Sequence, residues 1–125
     1  MSPKYHEKPA IFIVEDNPDT LDLLCEHLHE AGFKTLIARS GEGALRQVDF
    51  AKPDLILLDV GLPGIDGFEI CRQLKQKEIT KDIPVIFITG LSDTVDKVKG
   101  FDAGGVDYLT KPFQAEEVLA RVNTQ

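Results

Sequence analysis

The stretch Ala10-Ile11-Phe12-Ile13-Val14-Glu15-Asp16-Asn17-Pro18 joins three signals. Five apolar residues follow one another without polar alternation, as in a strand covered on both faces. Two acids come next. Asn17 and Pro18 then supply an N-cap and a first-turn proline, which start a helix. The helix carries its apolar stripe at Leu21, Leu24, Cys25 and Leu28, and Gly32 marks its stop.

The same unit repeats along the chain. Residues 33–38 read as a second strand, Ser40 as the cap of a helix bearing Ala44, Leu45 and Val48, and Lys52-Pro53 as its end. Residues 55–58 form another unbroken apolar run ending at Asp59, and a loop with Gly61, Pro63 and Gly64 follows. Asp66 and Glu69 have the spacing of a capping pair for a third helix with Ile70, Cys71 and Leu74 inside. Residues 83–88 predict the fourth strand, closed by Thr89-Gly90. Ser92 caps a weaker fourth helix through Val95 and Val98 to Gly104-Gly105. Residues 106–110 are the fifth strand, and Lys111-Pro112 separates it from a last helix over 115–125 with Val118, Leu119 and Val122. Five βα units predict an α/β fold with a doubly wound, five-stranded parallel sheet and five helices. Residues 1–9 form a polar leader and residues 10–125 the single domain.

The 125 residues carry a net charge of −7, which argues against binding nucleic acid or an anionic membrane directly. No apolar run approaches the ~20 residues of a membrane span, and the leader lacks the apolar region of a secretory signal. Cys25 and Cys71 sit on helix stripes and read as small hydrophobes in a reducing, cytoplasmic setting. His27 and His29 point in different directions from one helix, so they do not form a metal pair.

In an open parallel sheet the crevice lies at the carboxyl ends of the strands. The polar residues found there are Glu15 and Asp16, Asp59, Thr89 and Lys111. An isolated acid at a strand end is ordinarily a solvated loop residue; compatible chemistry at four strand ends points to a site. Three carboxylates brought together repel, and a hard divalent cation such as Mg²⁺, bound through oxygen, relieves them. With the Lys111 ammonium the group approaches neutrality and can accept a phosphoryl group. Asp59 is the candidate nucleophile, giving an acyl phosphate. Lys111 suits a phosphoryl oxygen, Thr89 can donate its hydroxyl, and Gly90 leaves the backbone open to approach.

Val14-Glu15-Asp16-Asn17, Leu57-Leu58-Asp59, Leu62-Pro63-Gly64-Ile65-Asp66-Gly67, Thr89-Gly90 and 107–113 together resemble the receiver domain of two-component response regulators. The resemblance implies a flavodoxin-like sheet of order 2-1-3-4-5. It implies that Asp59 takes a phosphoryl group from a phosphohistidine on a sensor histidine kinase or phosphotransfer protein, becoming a 4-aspartylphosphate in a phosphorelay. Asp16 would ligate Mg²⁺ directly, Glu15 through water, and Gly61 through its backbone carbonyl. Lys111 would hold the phosphoryl group, placed by a cis bond before Pro112. Thr89 and Tyr108 would form a switch that changes the face of the fourth helix, fifth strand and last helix, through which two copies would also pair. The domain would catalyse only its own phosphorylation and dephosphorylation. Gly61 and Leu91 occupy positions that tune the lifetime of the phosphorylated form in this family.

Two other classes compete. A metal-dependent phosphatase with an aspartyl nucleophile carries a second Asp two residues on, where this chain has Gly61. A flavodoxin-type electron carrier needs a hydroxyl- and glycine-rich phosphate loop, whereas Glu15-Asp16-Asn17-Pro18 is acidic. The domain either stands alone or comes from a longer regulator or hybrid kinase. The run 116–122 favours the second, and a stop codon directly after Gln125 would overturn that preference.

Overall fold

The computed structural model describes residues 8–90, 98–99 and 101–125. Its strands are β1 (Ala10–Val14), β2 (Lys34–Ala38), β3 (Leu55–Asp59), β4 (Val85–Thr89) and β5 (Asp107–Thr110). The helices among the described residues are α1 (Pro18–Glu30), α2 (Gly41–Ala51), α3 (Gly67–Gln76) and α4 (Ala115–Asn123). Residues 98, 99, 101 and 102 are helical, in the place given to the predicted fourth helix. Ser92 and Val95, on which that expectation rested, lie outside the described residues.

All strand pairs are parallel and the order is β2-β1-β3-β4-β5. Alternate residues of each strand enter opposite layers. Phe12, Val14, Ile56, Leu58 and Phe87 pack with Ala44, Val48, Ile70 and Leu74 on the face of α2 and α3. Ile11, Ile13, Leu57, Ile88 and Leu109 pack with Leu21, Leu24, Leu28, Val118 and Val122 on the face of α1 and α4. Burial on both faces explains the unbroken apolar runs in the sequence.

The caps follow the sequence with small corrections. Asn17 and Ser40 accept from the backbone N–H groups of Thr20 and Gly43, each at 3.0 Å. Asp66 accepts from Glu69 at 2.9 Å, but the Glu69 carboxylate turns outward to Arg72 and Gln73, so the capping pair works in one direction only. The second strand begins at Lys34, because the Phe33 N–H still bonds Leu28 O at the end of α1. The fourth begins at Val85, because the Ile83 N–H closes a turn onto Thr80 O. Lys75 reaches beyond α3, donating to Lys81 O at 3.1 Å and to Ile83 O at 2.6 Å. Pro9, at the start of the described chain, and Gln125, at its end, line one small cavity of about 190 Å³ at the amino-terminal edge of the sheet.

One glycine fixes the geometry beside the end of β3. A Cβ on Gly67 would lie 2.6 Å from Asp59 O and 2.8 Å from the Val60 Cα, both backbone atoms that cannot swing aside. A Cβ on Gly61 would meet only Asp59 Oδ1, at an ordinary 3.6 Å. Gly67→Ala should therefore cost ~1–3 kcal/mol in urea unfolding, while Gly61→Ala should stay within ~0.5 kcal/mol. Equal effects would show that the α3 start is not locked against β3.

Candidate phosphoacceptor site

The sheet order reverses beside β1, which lies between β2 and β3. The carboxyl ends of β1 and β3 therefore border the switch point where α/β sheets bind ligands. Glu15 and Asp16 follow β1, Asp59 ends β3, Thr89 ends β4, and Lys111 follows β5. A cleft of about 340 Å³ is lined by these residues together with Gly61, Gly90, Asn17 and Val60. The residues predicted from strand ends are thus gathered into one place. Tyr108 is not among the lining residues; its Cα partner across the ladder is Phe87, two residues before Thr89.

Oxygen atoms of Glu15, Asp16 and Asp59 all lie within 4.8 Å of one another. Glu15 is fully buried and Asp59 nearly so, whereas Asp16 is exposed. The Asn17 N–H donates to Glu15 Oε2 at 3.1 Å and the Gly61 N–H to Asp59 Oδ1 at 3.0 Å. Lys111 Nζ stands 3.2 Å from Glu15 Oε1 and 3.9 Å from Asp59 Oδ2. Among the described residues Glu15 Oε1 accepts no hydrogen bond, so its tie to Lys111 is one of charge. The Lys111-Pro112 bond is cis, as expected. Lys111 N–H also bonds Thr89 O at 2.7 Å, fixing the lysine to the end of β4.

Burial, reinforced by the neighbouring Asp59 carboxylate, pushes the Glu15 carboxyl from 4.5 up to about 6; the Asn17 N–H and Lys111 pull the other way. Elsewhere burial pushes the Cys71 thiol up to about 11, in keeping with a packed hydrophobe; Cys25 is half-buried. The donor set suits a hard cation: oxygen ligands only, one of them a buried oxygen without a hydrogen bond, at the edge of an open cleft.

Sequence reasoning missed two contributions. The sequence marks Asn17 as a cap and as part of the 14–17 motif, and its N–H donation to Glu15 Oε2 emerges only in the structure. The place of Gly67 against β3 depends on a tertiary contact, and the sequence marks it only as the last residue of the 62–67 motif and the first of α3.

Residues 11–123 match the family described as the response regulator receiver domain. The chain belongs to that family. The DNA-binding dual master transcriptional regulator RpaA of Synechocystis is 46% identical over 114 residues, covering 91% of this chain and 47% of RpaA. A response regulator from Chloroflexus aurantiacus superposes with a TM-score of 0.91 at 38% identity, covering 94% of this receiver and 96% of that chain. The receiver domain of the Pseudomonas aeruginosa sensor histidine kinase PA1611, solved with a magnesium ion in its active-site cleft, gives 0.87 at 29% identity, covering 94% and 96%. The receiver spans about half the length of the curated relatives it matches, and DNA binding is stated of RpaA and of the MtrA regulator of Mycolicibacterium smegmatis as whole proteins. No helix among the described residues is long and apolar enough to cross a membrane.

The raised Glu15 carboxyl has a pH consequence. Between 4.5 and about 6 the folded form holds more protons than the unfolded one, so this stabilisation is full below the window and lost as pH rises through it. Glu15→Gln removes the ionisation. Its stability relative to wild type, measured by urea titration without divalent cations, should increase by ~1–2 kcal/mol between about pH 4 and about pH 7.5. A difference independent of pH would show that Glu15 ionises as readily folded as unfolded.

Proposed function

We propose that Asp59 is the phosphoacceptor of a two-component signalling receiver and that Glu15, Asp16, Asp59 and the Gly61 carbonyl hold Mg²⁺ there. The observation that carries this reading is the placement of the nearly buried Asp59 carboxylate within reach of both acids and of the Lys111 ammonium. An Asp59 carboxylate oxygen attacks the phosphorus of a phosphohistidine; the P–N bond breaks and the imidazole leaves with that electron pair. Lys111 meets the charge on the phosphoryl oxygens, helped by the Thr89 hydroxyl and the Gly90 backbone. Glu15, Asp16 and Asp59 would hold a divalent cation, which when bound would offset most of their charge and supply electrostatic stabilisation to the transferring group. The Gly61 N–H keeps the Asp59 carboxylate oriented. The same groups admit water for the domain's own dephosphorylation, so the receiver turns over no substrate but itself.

The donor is a histidine-bearing kinase or phosphotransfer protein. A second cleft of about 490 Å³, with Leu23, Pro112 and Phe113 beside the shared Gly90 and Lys111, adjoins the site and offers an apolar seat for it. Phosphorylation then moves Thr89 and Tyr108 and changes the face around β5 that partners, including a second copy, recognise. The receiver works as the input part of a longer cytoplasmic regulator, a reading supported by the double length of its relatives. Contact with DNA falls to other parts of such a protein, in keeping with the acidic charge of this one.

Incubation with acetyl phosphate and Mg²⁺ should add one hydroxylamine-labile phosphoryl group, read as a mass increase. Asp59→Asn should abolish it, omission of Mg²⁺ should suppress it, and Lys111→Ala should slow it at least ~10-fold. Label retained in Asp59→Asn would overturn the assignment.

A further inference from the structure

Tyr108 lies on the edge strand β5 and packs against the core on the α2 and α3 face, and two of its ring contacts come from segments flanking that strand. Phe101 meets the ring edge-on, with centroids 6.1 Å apart and planes at 73°. Arg121, on α4, places its guanidinium carbon over the ring, 5.9 Å from the centroid. Arg121 is itself held. Its Nη1 donates to Asp107 Oδ1 at 2.9 Å and to Oδ2 at 3.0 Å, and its Nη2 stands 3.7 Å from Glu117 Oε2. Asp107 in turn accepts from the Tyr108 N–H at 2.9 Å. The acid directly before the aromatic residue thus fixes the cation that covers its ring.

We propose that Arg121, oriented by Asp107, is a positioning residue that keeps the Tyr108 ring at the sheet edge and opposes its passage toward Thr89. This rests on the phosphoacceptor and switch reading given above. A contact made in only one of two conformations biases the equilibrium toward it, and a ligand that selects the other must overcome the bias. A guanidinium over an aromatic face is strong enough to set that bias at about three- to tenfold. A lysine would keep the charge but lose the planar guanidinium that covers the ring and presents Nη1 to Asp107 and Nη2 to Glu117 at once. Neither Arg121 nor Asp107 lines the acidic cleft, so their removal reports on the switch and not on the chemistry.

The chain has two tyrosines and no tryptophan, so in a Tyr5→Phe background tyrosine fluorescence reports Tyr108 alone. Beryllofluoride with Mg²⁺ is titrated into that parent and into Arg121→Gln, Asp107→Asn and Arg121→Lys, at concentrations where sedimentation shows a monomer. Arg72→Gln, which breaks only an exposed pair with Glu69, serves as control, and circular dichroism verifies folding. Both clamp-breaking variants should change Tyr108 emission before any addition and lower the beryllofluoride midpoint about three- to tenfold. Arg121→Lys should fall between them and the parent, and the control should match the parent. Should Arg121→Gln not fold, Asp107→Asn carries the test, since it loosens the cation without removing it. Unchanged emission and midpoint in the folded clamp variants, with a responsive parent, overturn the clamp and leave the phosphoacceptor reading standing. A parent that ignores beryllofluoride removes that reading, and the clamp with it.

Discussion

Carboxylates crowded within 4.8 Å repel one another, and the architecture around Glu15, Asp16 and Asp59 is arranged to hold them there nonetheless. A parallel sheet delivers the acids of β1 and β3 to the same edge because both strands end on one level and lie side by side. Two backbone N–H groups, from Asn17 and Gly61, and the Lys111 ammonium offset part of the charge. Burial first, and the Asp59 carboxylate beside it second, still hold the Glu15 carboxyl above its ordinary value. The site is therefore under electrostatic stress, which any incoming cation relieves.

That stress connects to the mechanical side of the molecule through β4 and β5. Thr89 ends β4, and its carbonyl accepts from Lys111, so the proposed phosphoryl-binding lysine and the proposed switch residue share one backbone hydrogen bond. Tyr108 sits one strand over, next to an ion pair that reaches across to α4. A change at the cleft thus has a short path to the surface around β5, through two adjacent strands rather than through the core.

Most of the fold was legible because its signals are local. Unbroken apolar runs marked the strands, and Asn17, Ser40 and Asp66 marked helix starts within a single turn. The acidic site was legible at one remove, since strand-end position follows from strand assignment and parallel strands share an exit edge. The features that escaped are those created by packing. Gly67 looks like any first-turn glycine until β3 is laid against it. Glu69 has capping spacing, but Arg72 and Gln73 compete for its carboxylate. The grip of Asp107 on Arg121 spans 14 residues and exists only once α4 docks beside β5.

The small cavity shared by Pro9 and Gln125 brings the first and last described stretches of chain to one pole, with the acidic cleft at the other. Sequence joined to these two stretches meets the fold far from the acidic cleft, so neighbouring segments can vary without disturbing the reactive end. One geometry then serves as a portable fuse, and its reuse in regulators and kinases of different build requires no redesign of the interior.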